Sequence, residues 1–94
     1  MNVLDRFRLN GKTACITGGS RGLGLEMARG LAEAGADLIL VGREESTLQS
    51  AVAELESTGR RVRTLVADVG EPAASEAAAT RAAHEFGPID ILIN

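Results

Sequence analysis

Glycines at positions 18, 22 and 24 follow directly on a compact apolar run, Thr13 to Thr17, and open a stretch of helical periodicity. This order constrains the chain more than any other feature. A short run of apolar residues with no polar alternation predicts a strand buried on both faces, which needs a layer of structure on each side. A strand that passes through a glycine turn into a helix is half of a β-α-β unit, and such units bring parallel strands and right-handed crossovers.

The rest of the sequence repeats the alternation. A first helix is predicted from about Leu23, with Leu23, Met27 and Leu31 on one stripe, Ala28 and Ala34 beside it, and Gly35 as the stop. Leu38 to Val41 predicts a second strand. A second helix places Leu48, Val52 and Leu55 on one face and ends at Gly59. Val62 to Ala67 predicts the third strand. Gly70, Glu71 and Pro72 suit a helix start, an alanine-rich helix runs to Phe86, and Gly87 with Pro88 closes it. Ile89 to Ile93 reads as a fourth strand. The predicted fold is therefore α/β, a Rossmann-type parallel sheet with flanking helices in the order β-α-β-α-β-α-β. At 94 residues the chain forms one domain or part of one. With two phenylalanines and no tyrosine or tryptophan, its core must be built from Ala, Val, Leu and Ile.

In such a sheet, ligands bind at the carboxyl ends of the strands, so the loops after each strand are the candidates. The first is Thr17-Gly18-Gly19-Ser20-Arg21-Gly22-Leu23-Gly24. Gly18 can take the positive φ of a tight turn, Gly22 allows backbone to approach a pyrophosphate, and Gly24 allows the helix to pack near the strand. The helix N-terminus then offers free N–H groups and the positive end of the dipole to an anion. The plain alternative is a glycine turn that only reverses the chain.

The segment Thr-Gly-x-x-x-Gly-Leu-Gly at Thr17 to Gly24 resembles the cofactor fingerprint of the short-chain dehydrogenase/reductase family. Phe7-x-Leu9-x-Gly11-Lys12, Asp68-Val69 and Asp90-Ile91-Leu92-Ile93-Asn94 are similar to further family segments in the family order. The resemblance implies that Gly18, Ser20, Arg21, Gly22, Leu23 and Gly24 bind a dinucleotide. It also implies that Asp68 meets the adenine with the backbone of Val69 beside it, and that Asn94 begins an Asn-Asn-Ala-Gly motif. Read from the sequence alone, Asp68 can equally open a turn before the third helix.

Cofactor choice is argued from the end of the second strand, where an Asp or Glu would bond the ribose hydroxyls of NAD and repel a 2'-phosphate. Gly42 stands there and Arg43 follows, with Arg21 and Ser20 in the glycine loop. Two guanidinium groups and a hydroxyl suit a 2'-phosphate, so NADP(H) is expected in preference to NAD(H). Otherwise Arg43 merely pairs with Glu44 or Glu45.

The family reaction needs a tyrosine with a lysine four residues later. This sequence has no tyrosine, and its one lysine, Lys12, precedes the first strand at the wrong end of the sheet. Residues 1 to 94 are therefore expected to be the cofactor-binding N-terminal part of an NADP(H)-dependent oxidoreductase that interconverts a carbonyl and an alcohol, with the catalytic part absent and the fragment inactive. Substrate is expected only in the full-length protein, which commonly pairs as a homo-oligomer in this family. Two other readings stay open. One is a non-catalytic NADP(H)-binding module or inactive remnant; the other is half of a nucleoside-cofactor methyltransferase, which Gly42-Arg43 disfavours.

A net charge of -3 with no basic run argues against nucleic acid and anionic membranes as partners. Cys15 is the only cysteine and lies in an apolar strand, so it is read as core, with no disulfide and a reducing cytoplasm as the expected compartment. His84 has no second His or Cys to share a metal. Arg60, Arg61 and Arg63 are read as capping a helix end and solvating a strand start.

Overall fold

The computed structural model describes residues 8–19, 21–68, 70 and 72–93. Strand β1 (Thr13–Thr17) leads into helix α1 (Gly22–Glu33), β2 (Asp37–Gly42), α2 (Glu45–Leu55), β3 (Val62–Val66), α3 (Pro72–Phe86) and β4 (Ile91–Ile93). The strands form one parallel sheet in the order β3-β2-β1-β4. The chain thus winds outward from β1 to β3, then returns past β1 to place β4 on its other side. That reversal puts the carboxyl end of β1 beside the crevice where open α/β sheets bind ligands.

Alternation along the central strands separates two cores, as expected of strands covered on both faces. Ala14, Ile16, Leu38 and Leu40 face α1 and α2, where they join Ala28, Ala32, Leu48, Ala51 and Leu55. Cys15, Ile39 and Val41 face the other side, with Leu65 of β3 and Ala78 and Ala82 of α3. Both cores are aliphatic and small, matching the composition.

Three expectations need correction. The stripe Leu23-Met27-Leu31 meets the core only at Leu31, which is half-buried against it: Leu23 is 78% exposed and Met27 38%, while the fully buried positions are Ala28 and Ala32. Gly24, Ala28 and Ala32 lie four residues apart, and this small-residue row lets α1 approach the strands closely. On α2 the inward face is Leu48, Ala51 and Leu55, with Val52 only half-buried. The fourth strand is shorter than Ile89 to Ile93, because Asp90 folds back on β1. Its N–H donates to the Thr13 carbonyl and its Oδ2 accepts from the Thr13 N–H, each at 2.9 Å. The helix after β2 ends as expected near Gly59, through a 3-10 turn at Glu56–Thr58 closed by Gly59 at φ 72°.

Candidate functional site

The glycine loop is shaped by its neighbours in the sheet. Gly18 turns the chain at φ +74°, and its N–H donates to the Val41 carbonyl at 2.9 Å, which fastens the loop after β1 to the end of β2. Gly22 begins α1 at φ +61°, a conformation that costs most other residues about 1 kcal/mol or more. At Gly24 the constraint is space: a Cβ there would fall on the carbonyl oxygen of Gly18 and crowd the Cα of Gly19. The first turn of α1 is thereby held against the loop.

Arg21 caps that helix in an extended conformation, φ -163° and ψ 168°, with no side-chain cap bond. The first intrahelical bond runs from Leu25 N–H to the Arg21 carbonyl at 3.4 Å. N–H groups ahead of it have no acceptor within the helix, as at every helix start. They carry the positive end of the helix dipole, a suitable environment for phosphate.

Beside this loop, on the β2 side, lies a cleft of about 350 Å³. The loop after β1 contributes Gly18 and Arg21, the end of β2 and the loop after it contribute Gly42, Arg43 and Glu44, the first turn of α2 contributes Thr47, and the loop after β3 contributes Asp68 and Gly70. The Ala67 N–H donates to the Gly42 carbonyl at 2.8 Å, so the last two loops are tied together at their roots. Asp68 Oδ1 accepts from the Gly70 N–H at 3.0 Å, making a turn that fixes the carboxylate at the rim. Thr47 donates its hydroxyl to the Glu44 carbonyl at 2.9 Å. Among the described residues Arg43 forms no ion pair, with Glu44 and Glu45 included, and its guanidinium projects as an exposed cation.

Four of the sequence-predicted residues, Gly18, Arg21, Arg43 and Asp68, thus line one cleft. Gly22, Leu23 and Gly24 stand apart from it in the first turn of α1. Ser20, Val69 and Asn94 lie outside the described residues, as do Phe7 and Glu71. Sequence reasoning missed Glu44, Thr47 and Gly70 as lining residues. Their position after a strand was the available signal, but their residue types gave no sign.

The remaining singled-out residues lie elsewhere. Cys15 is fully buried in β1, and desolvation pushes its thiol above the usual range, so it is a poor nucleophile. At the opposite end of the sheet, Arg60 pairs with Asp37 Oδ1 at 3.1 Å, the Arg61 N–H donates to the same oxygen at 3.2 Å, and Arg63 sits 5.3 Å over the Phe86 ring. The arginine cluster therefore closes the amino end of the sheet, far along the strands from the cleft. Lys12 is there as well, its carbonyl accepting from the Asp37 N–H at 2.9 Å. No helix among the described residues is long and apolar enough to cross a membrane. None of the described residues group as three or more metal-ligating side chains.

The donor set fits a phosphorylated nucleotide. A glycine-lined backbone cradle, two guanidinium groups and an uncapped helix start favour anions, while the Asp68 carboxylate at the rim can accept from hydroxyl or amino groups.

Comparison with known proteins gives the same direction. A family model described as short chain dehydrogenase matches residues 12–94. Gluconate 5-dehydrogenase of Gluconobacter oxydans is 43% identical over all of this chain, which covers 37% of that protein. The structure of L-sorbose reductase from Gluconobacter frateurii complexed with NADPH and L-sorbose superposes with a TM-score of 0.81 at 39% identity, over 94% of this chain and 34% of that one. A 3-oxoacyl (acyl-carrier-protein) reductase from Agrobacterium tumefaciens with NADP bound gives a TM-score of 0.85 at 36% identity, over 98% of this chain and 35% of that one. The chain spans about a third of the length of these relatives.

Proposed function

The chain belongs to the short chain dehydrogenase family, and from that premise we propose that residues 1 to 94 form the NADP(H)-binding part of an oxidoreductase that interconverts a carbonyl and an alcohol. The observation that carries this reading is that Arg21, Arg43 and Gly42, the last residue of β2, line one cleft. An acid in place of Gly42 would hold the ribose hydroxyls of NAD and repel a 2'-phosphate. Glycine removes that repulsion, and two guanidinium groups add charge-assisted hydrogen bonds. The NADPH and NADP complexes of the sorbose and oxoacyl reductases support the same choice.

In this reading the backbone at Gly18 and the first turn of α1 hold the pyrophosphate, Arg21 and Arg43 hold the 2'-phosphate, and the Asp68 rim faces the adenine. Ser20, Val69 and Asn94 complete the binding set. When bound, the cofactor supplies hydride to a carbonyl carbon or accepts it from an alcohol carbon. Without a tyrosine, these residues bind and orient the cofactor but carry no proton donor of the family type. The part of the protein that handles a small carbonyl or alcohol substrate then lies in the remaining length that the relatives have. A non-catalytic NADP(H)-binding module is the second reading, and tight NADPH binding by a stably folded polypeptide limited to residues 1 to 94 would favour it.

Equilibrium titration of the full-length protein with NADPH and NADH tests the cofactor assignment. With one charge-assisted contact contributing about 1.5 to 3 kcal/mol, NADPH should bind about 10-fold to 100-fold more tightly. Arg43→Ala should erase most of that difference by weakening NADPH and leaving NADH unchanged. Equal dissociation constants for the two cofactors in the unaltered protein would overturn the assignment.

A further inference from the structure

We infer that Glu44 sets the cofactor preference of this protein below what Arg21 and Arg43 would give by themselves, acting as a specificity-determining residue that opposes the 2'-phosphate. The inference rests on the NADP(H) reading above. Glu44 follows Arg43 directly and lines the same cleft. It stands at the N-cap of α2, with φ -115° and ψ 121°, but its side chain makes no cap hydrogen bond. Among the described residues its carboxylate has no ion pair. Only its carbonyl is engaged, by the Thr47 hydroxyl and the Leu48 N–H.

The charges that line the cleft are Arg21, Arg43, Glu44 and Asp68. Formally they cancel. Asp68 is fixed by its bond from the Gly70 N–H, so it is committed to the rim built by the loop after β3. Glu44 is the acid adjacent in sequence to Arg43, and it has no structural task that holds it away. A carboxylate that lines the same cleft as two guanidinium groups lowers the positive potential that a phosphate would meet, and it repels the phosphate itself. NAD(H) brings only hydroxyls to this place, and the same carboxylate is neutral or mildly favourable to them.

Glu45 provides the control. It is the next residue, exposed, in the first turn of α2, and does not line the cleft. Glu44→Gln and Glu45→Gln remove the same formal charge from neighbouring positions. In the full-length protein, titrated at low salt, Glu44→Gln should tighten NADPH about threefold to tenfold and leave NADH within a factor of about two. Glu45→Gln should change NADPH by less than about twofold. The gain at Glu44 should shrink as ionic strength rises, because an exposed charge is screened within about 10 Å at 0.1 M salt. Glu44→Ala should shift NADPH in the same direction, separating loss of charge from any contact made by glutamine.

Two failures are distinguishable. If the unaltered protein binds NADPH and NADH equally, the NADP(H) reading is at fault. If it prefers NADPH but Glu44→Gln leaves NADPH unchanged, or Glu45→Gln tightens it equally, Glu44 has no particular part in the choice. NADH binding weakened well beyond that factor of about two in Glu44→Gln would also overturn the inference, since it would make Glu44 chiefly an acceptor for ribose hydroxyls.

Discussion

Gly24 and Gly30 occupy the same helix, yet alanine should have opposite effects at the two positions. A Cβ on Gly24 would overlap the Gly18 carbonyl, part of the backbone that cannot rotate away. Either the loop or the helix must shift, and both belong to the proposed phosphate cradle. Gly24→Ala should therefore lower the melting temperature and weaken NADPH binding by more than about 10-fold, since a displaced cradle loses several hydrogen bonds at once. Gly30 is exposed in the helix interior, and a Cβ there would meet nothing within 4 Å. Gly30→Ala should stabilise by about 0.5 to 1 kcal/mol through lower unfolded-state entropy and better helix propensity. Thermal melts read both substitutions. A destabilising Gly30→Ala would mean that α1 is packed differently along that face.

At the scale of elements, the order of strands and helices was legible because each apolar run, glycine stop and helical period pointed to the same alternation. The orientation of α1 was not. Hydrophobicity favoured Leu23, Met27 and Leu31, but the helix turns Ala28 and Ala32 inward because Gly24 draws its first turn onto the loop after β1. Close approach left room only for small side chains, a constraint set by a partner surface that periodicity cannot see. The candidate site was partly legible for a similar reason. Glycines and arginines at the ends of β1 and β2 carry chemical signals, whereas Glu44 and Thr47 reach the cleft as the chain passes from β2 into α2, and Gly70 through the register that pairs Gly42 with Val66. Substitution separates the two views of α1. Ala28→Leu should cost about 1 to 3 kcal/mol or more by overpacking a fully buried site, while Met27→Ala should stay within about 0.5 kcal/mol. Denaturant titrations in which Met27→Ala proved the costlier change would restore the original stripe.

At the scale of the molecule, the two faces of the sheet are unequally finished. On the side of α1 and α2, ten buried residues among those described form a continuous core, and Ile91 and Ile93 of β4 pack against it. On the side of α3 the buried set among the described residues is six, half of them alanine or cysteine. Leu92 pairs in register with Cys15 and so points to that second face, yet it remains 46% exposed. Strand β4 also ends the sheet, so its outer N–H and C=O groups have no strand partner among the described residues. An apolar edge with an uncovered leucine is a template for pairing with another chain. A polypeptide limited to residues 1 to 94 should therefore self-associate, with sedimentation and light scattering that rise steeply with concentration. Leu92→Lys should reduce that association, because a charge on an edge strand is costly to bury between two sheets. The lysine has solvent within reach and so should alter the fold little. A sharp, reversible transition of a monomer at every concentration would instead show that the α1 and α2 core alone suffices, and that the thin face beside α3 needs no cover.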